Sequence, residues 1–281
     1  MKRFIRLWLV VASIGLALVI VTSLALYTGS AHASTQTPAA GYVSSSGLSD
    51  NGWSLQVLLP TPGEVVTTPT LALDVVAVGY KLDAAFAGTP NLPHIGHYHE
   101  ILDGRLVDMT PLHNPNSDTV SMVGVSPGPH ILTLVPANND HSMIMSAAVN
   151  IPFTYAGPFL PPPAPVVFPN PPTVTITSPA NGTTVAGASF FMTVSLNNFE
   201  LCGDCFGKDN IAGVGHWHIF VDQPVMSHML TMAGDTTQEV SLKAITPGWH
   251  TFYAVLVNDQ HMPFMGVPSS MTSVTLYVAG D

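Results

Sequence analysis

Two short stretches of this chain set imidazoles two residues apart and place an aspartate four residues after the second. In "GHWHIFVD" these are His216, His218 and Asp222; in "GHYHEILD" they are His97, His99 and Asp103. Neutral imidazole is the commonest nitrogen donor to a protein-bound metal. In an extended strand, residues two apart project from one face, so each pair can present two ligands side by side. Other residues keep the same register. His130 in "PGPH" matches His250 in "PGWH"; eleven residues later His141 matches His261, and four beyond those Met145 matches Met265. Six residues after Asp103 and Asp222 stand Met109 and His228, and ten after them His113 and Met232, so each copy has one His and one Met there in opposite order.

As a ligand set, the second copy offers His216, His218, His250 and His261, with Met265 or His228 as a soft or axial donor. The first offers His97, His99, His130, His141 and Met145, and His113, Met109 and Met232 are additional candidates. Asp103 and Asp222 are placed to orient a ligating imidazole. Zinc sites are built from His, Cys and carboxylate, whereas thioether favours copper. The mixture of His with Met therefore puts copper first and zinc second. Binding is expected to weaken below about pH 6, as imidazoles protonate. The competing reading is structural. Histidines beside turns tie loops to strands, methionines fill cores, and duplication copies neutral residues too. The two copies have drifted widely elsewhere, yet four His positions and one Met stay in register, which favours a site.

Those residues must be positioned by a repeat. Residues 54–156 and 173–281 open alike, "LLPTPGEVVTTPTLALDVVAVGYKL" against "ITSPANGTTVAGASFFMTVSLNNFEL", and close alike, "SPGPHILTLVPANNDHSMIM" against "TPGWHTFYAVLVNDQHMPFM". Each reads as six or seven short strands bounded by Pro, Gly and Asn turns, without a helical period. That pattern predicts an all-β fold: two tandem antiparallel β-sandwiches of immunoglobulin-like type. Within the paired-histidine strands, His216, His218, Phe220 and Asp222 are expected on one face and Trp217, Ile219 and Val221 on the other. The corresponding opposite face in the first copy, Tyr98, Glu100 and Leu102, is interrupted by a charge. Residues 157–172, "GPFLPPPAPVVFPNPP", read as a semi-rigid polyproline linker, and 34–53 as a flexible stalk. Residues 1–33 combine a basic start, an apolar run of about twenty residues and the small-x-small site Ala31-His32-Ala33. They are expected to be a signal peptide, or a hydrophobic helix retained as a membrane anchor. Either way the remainder is exported.

The Gly-His-x-His-x-x-x-Asp, Pro-Gly-x-His and closing His pattern resembles a family of uncharacterised exported bacterial domains. There the first motif is typically Gly-His-His-His; Tyr98 and Trp217 replace its middle histidine here. The resemblance covers most of each copy and implies an exported β-sandwich. "GHYHE" followed by "PLHNPNSD" is also similar to the copper-zinc superoxide dismutase signature. However, no His-rich loop follows His113, Met232 stands where His113 should recur, and His130 follows His99 too closely. Dismutase chemistry thus ranks behind binding.

The chain's formal charge is −10, and beyond its basic start four basic residues face seventeen acidic ones, a formal −13. Such a body lacks the clustered Lys and Arg that grip nucleic acid. No nucleophile elbow, phosphate loop or paired carboxylates are apparent, so a binding protein is favoured over an enzyme. Cys202 and Cys205, the only cysteines, are read first as a short-range disulfide in an oxidising compartment, with metal or redox use as the alternative. The expectation is an extracytoplasmic, secreted or membrane-tethered protein that holds copper or zinc for storage, delivery or sensing. Its partners would be the metal and another exported protein; the alternative is a cell-surface structural or adhesion module.

Overall fold

A computed structural model describes residues 42–43, 52–109 and 116–280. The signal or anchor segment, most of the stalk, and His113 lie outside the described residues. Among the described residues no helix is long and apolar enough to cross a membrane.

The first repeat comprises β1 (Tyr42–Val43), β2 (Ser54–Leu59), β3 (Glu64–Val66), β4 (Thr70–Val78), β5 (Lys81–Leu82), β6 (Ile95–Leu102), β7 (Arg105–Asp108), β8 (Ser117–Ser121), β9 (Gly128–Asn138) and β10 (Val149–Tyr155). The second comprises β11 (Thr173–Ser178), β12 (Thr184–Val185), β13 (Ser189–Asn197), β14 (Glu200–Leu201), β15 (Val214–Val221), β16 (Met229–Ala233), β17 (Thr237–Ser241), β18 (Gly248–Val257) and β19 (Met271–Val278). Each repeat is an immunoglobulin-like sandwich. In the first, β1-β2-β4-β8 faces β3-β10-β9-β6-β5; in the second, β11-β13-β17 faces β12-β19-β18-β15-β14. The hairpin strands β7 and β16 pair with β6 and β15. The sheets are mainly antiparallel, but the short strands β3, β5, β12 and β14 pair in parallel.

Alternation builds the cores. Leu71, Leu73 and Val75 of β4, and Phe190, Met192 and Val194 of β13, point inward while their neighbours face solvent. Across the sandwich they meet Tyr98, Leu132 and Leu134 in the first repeat and Trp217, Ile219, Phe252 and Leu256 in the second. Each such apolar side chain contributes about 1.5–3 kcal/mol on burial. Trp217 satisfies its indole N–H on the Asp235 carbonyl at 2.8 Å, as a buried indole must.

β15 departs from alternation, because all eight of its residues are buried. Its inner face is core, so its outer face needs another cover, and the opposite repeat supplies it. Met109 of the first repeat joins Phe220, Met229, Met232 and Val255 of the second in one apolar cluster. The Pro-rich segment that joins the repeats is bonded to both: the Leu160 carbonyl accepts from Gly124 N–H, Val166 N–H donates to the Ala212 carbonyl, and the Pro172 carbonyl accepts from the Ser269 hydroxyl. Residues Pro38–Asp281 accordingly form one compact unit.

Candidate metal centres

β6 and β15 place their paired histidines on the outer face, where the register predicts them. A loop after β9 or β18 brings the third imidazole. His97 Nε2 lies 3.1 Å from His99 Nε2 and 3.2 Å from His141 Nδ1, and the latter two atoms are 3.4 Å apart. In the second repeat His216 Nε2 lies 3.1 Å from His218 Nε2 and 3.0 Å from His261 Nδ1, with 3.3 Å closing the triangle. These two triads could each hold a metal ion. His141 and His261 adopt left-handed backbone, at φ 65° and 61°. That conformation costs about 1–2 kcal/mol for a residue with a side chain, and here it aims each ring at its pair.

The geometry suits a cation. A tetrahedral ion with metal–nitrogen bonds of about 2.0–2.1 Å separates its ligand nitrogens by roughly 3.3–3.4 Å, close to the observed edges. Hydrogen bonding alone cannot satisfy either triangle. His141 Nε2 donates to the Met229 carbonyl at 2.7 Å and His261 Nε2 to the Leu106 carbonyl at 2.9 Å. In the neutral rings, Nδ1 of both residues is therefore a lone pair. Two imidazole nitrogens remain, and with either tautomer at least one of the three contacts sets two lone pairs or two N–H groups against each other. A cation accepts all three. Neither group includes a carboxylate or thiolate, so a tetrahedral ion would keep its fourth position for water or another ligand.

The imidazoles are held neutral. Burial, reinforced by neighbouring imidazoles, pushes His97, His216 and His218 well below the usual histidine range. Burial brings His99 down to about 3. His141 and His261 are lowered by burial, partly opposed by their bonds to the backbone carbonyls. Neutral imidazole is the ligating form.

Other expected site residues are placed elsewhere. His130 and His250 do not join the triads. Nδ1 of each meets a carboxylate oxygen, Asp103 at 2.7 Å or Asp222 at 2.8 Å, and Nε2 meets the Ser126 or Thr246 carbonyl at 2.8 Å. Both ring nitrogens are engaged by these oxygens, so neither is turned toward a triad. Asp103 and Asp222 consequently orient these braces rather than a triad imidazole. Nor do they share the histidine face: they turn the chain after the strand in left-handed backbone, φ 51° and 60°. Met145 and Met265 are exposed, the latter by 85%, and Met109 and Met232 belong to the apolar cluster between the repeats. His228 stands beside Ser227, 3.1 Å from its hydroxyl. The triads themselves offer three nitrogens each; of the methionines, Met232 is the cross-strand partner of His218.

Several neighbours carry no sequence signal. The Leu106 and Met229 carbonyls are main chain. Phe206, whose counterpart is Ala87, packs on His216 with ring centroids 4.1 Å apart. It follows the Cys202–Cys205 disulfide. A cavity of about 150 Å³ lined by Glu100, Asp108, Asp204 and Lys208 lies at the junction. Burial and nearby Asp108 and Asp118 hold the Glu100 carboxyl well above the ordinary range, and burial brings Lys208 down to about 8.

No family model and no curated relative matches the chain. Among solved structures it is similar to the fibronectin(III)-like modules of Clostridium thermocellum CbhA, with 14% identity over 80% of this chain and 94% of that one, TM-score 0.26. It is also similar to the N-terminal four Ig domains of Dscam1 isoform 8.4, with 13% identity over 86% of this chain and 48% of that one, TM-score 0.21. This chain thus spans about half the length of the latter. Neither protein's role transfers to this chain.

Proposed function

We propose that this is an exported metal-binding protein with one three-histidine site per repeat, built to hold a divalent ion of the zinc or copper(II) type. The observation that carries this reading is the convergence, twice in one chain, of three imidazole nitrogens at metal-ligand spacing, all buried except the half-buried His261. Nitrogen donors suit zinc and copper(II) alike, so on the triads alone zinc stands level with copper. Burial favours retention, and hence storage or delivery, with another exported protein as donor or acceptor of the ion. Export is supported by the basic and apolar N-terminal sequence and by the Cys202–Cys205 disulfide. The second reading, a structural surface module, is favoured by the His130–Asp103 and His250–Asp222 braces, which show histidines tying this fold together.

Elemental analysis with zinc and copper titration separates the two. Two ions per chain are expected, with one lost in His97→Ala, the other in His216→Ala, and both in the double variant, while circular dichroism is unchanged. No tight binding of either ion would overturn the metal reading.

A further inference from the structure

Resting on that metal reading, we propose that each metal site is completed by the opposite repeat, so that metal occupancy and docking of the two repeats form one linked equilibrium. The third imidazole of each triad is fixed by a carbonyl from across the junction. His141 of the first repeat donates to Met229 in β16, and His261 of the second donates to Leu106 in β7. A metal-ligating imidazole normally donates its other N–H to an acceptor that sets tautomer and ring orientation. Here that acceptor is absent from the repeat that supplies the three nitrogens.

The exchange is reciprocal and tightly seated. The lending strands β7 and β16 are counterparts, each the hairpin partner of a paired-histidine strand. Two corresponding glycines admit the lent carbonyls. A Cβ at Gly88 would lie 2.4 Å from the Met229 oxygen, and one at Gly207 2.2 Å from the Leu106 oxygen. Gly88 N–H and Gly207 N–H are themselves bound to the Asn139 and Asp259 carbonyls, two residues before the triad histidine. Each lent carbonyl is therefore gripped by the loop that bears its histidine.

The junction is held as well by Lys243 Nζ on the Asp83 carboxylate at 2.6 Å, Lys208 Nζ on the Ser121 carbonyl at 3.0 Å and the Ser241 hydroxyl on the Ala85 carbonyl at 2.9 Å, so the metal-linked contacts add to an existing interface. The Arg105–Asp209 pair is solvent-exposed, at 48% and 89%, and exposed pairs add little. A metal draws electron density from its imidazole and makes the remote N–H a stronger donor, tightening the bond across the junction. By linkage, a docked junction raises metal affinity in return.

The test uses the full chain and zinc alone, read by calorimetry and hydrogen exchange. In His97→Ala, which keeps only the second triad, zinc should slow exchange severalfold in residues 105–109 of the first repeat. In His216→Ala it should slow exchange in residues 229–233 of the second. Gly207→Ala, which displaces the Leu106 carbonyl without touching a ligand, should weaken the second site by about 10–100-fold, the usual effect of losing such a partner. If zinc binds to each single-site variant but protects only the repeat that bears the intact triad, the linkage is wrong and the metal reading survives. If the unaltered chain binds no zinc, both fall.

Discussion

His130 Nδ1 lies 2.7 Å from the Asp103 carboxylate, and the pair ties the turn after β6 to the start of β9. Asp103 also accepts from Ile131 N–H at 3.0 Å, and Asp222 accepts from Thr251 N–H at 3.1 Å in the second repeat. The two copies therefore preserve a brace as well as a ligand set, from the same kind of residue.

Truncating the brace should affect folding and leave metal alone. His130→Ala and His250→Ala are each expected to lower stability by about 1–2 kcal/mol, the scale of a charge-assisted hydrogen bond whose remaining partner stays wet. Denaturant unfolding should show the loss, and titration should still find two ions. Loss of an ion would put these residues back in the ligand set.

The metal-free protein should be acid-sensitive from about the unperturbed histidine value. The six triad imidazoles are all lowered in the folded state. Lowered basic groups leave stability fully present above the unfolded value of 6.5, and it is lost as pH falls toward the folded values. Each group that stays neutral withdraws about 1.4 kcal/mol per pH unit in that window. Melting curves of apoprotein between pH 7 and pH 4 check this; a flat profile would contradict it. Metal release should then follow acid unfolding, rather than the simple titration near pH 6 that the sequence suggests.

Glu100 has the opposite sign. It is 1% exposed, with Oε1 lacking a partner, and its carboxyl is raised well above 4.5 by burial. Its contribution is complete below that value and is lost as pH rises toward the folded one. Glu100→Gln should therefore stabilise the protein at pH 7 but scarcely at pH 4. The gain should grow by about 1.4 kcal/mol per pH unit until the folded value is reached. Urea midpoints of both proteins at the two pH values decide it.

Phe206 makes the two sites unequal. Its ring covers His216 in the second repeat, whereas Ala87 occupies the matching place in the first. Phe206→Ala should speed metal loss from the second site and leave the first unchanged, as followed by chelator competition in His97→Ala and His216→Ala backgrounds. Removing the adjacent disulfide, worth about 2 kcal/mol for so short a loop by chain entropy, should act in the same direction.

The sandwich was legible because alternation is written residue by residue, as in β4 and β13. The paired histidines and the closing histidine were legible because duplication repeated them at fixed offsets. Offsets could not separate His141 from His130. Both recur, but one is carried inward by a left-handed turn and the other is spent on an aspartate. Strand period could not reveal that Asp103 and Asp222 lie past the strand's end. Glu100 stood out as a charge on a core face without showing what it meets. The Leu106 and Met229 carbonyls belong to every residue type equally and leave no mark in a sequence.

The reciprocal loan of carbonyls is an isologous contact: the same patch, on both repeats, satisfying itself. Such a contact closes after two units. A third unit could not enter it through the same histidine loop and hairpin edge, because each repeat already occupies those of the other. The tandem chain thus carries, within one polypeptide, the kind of two-fold pairing that symmetric dimers make between separate chains.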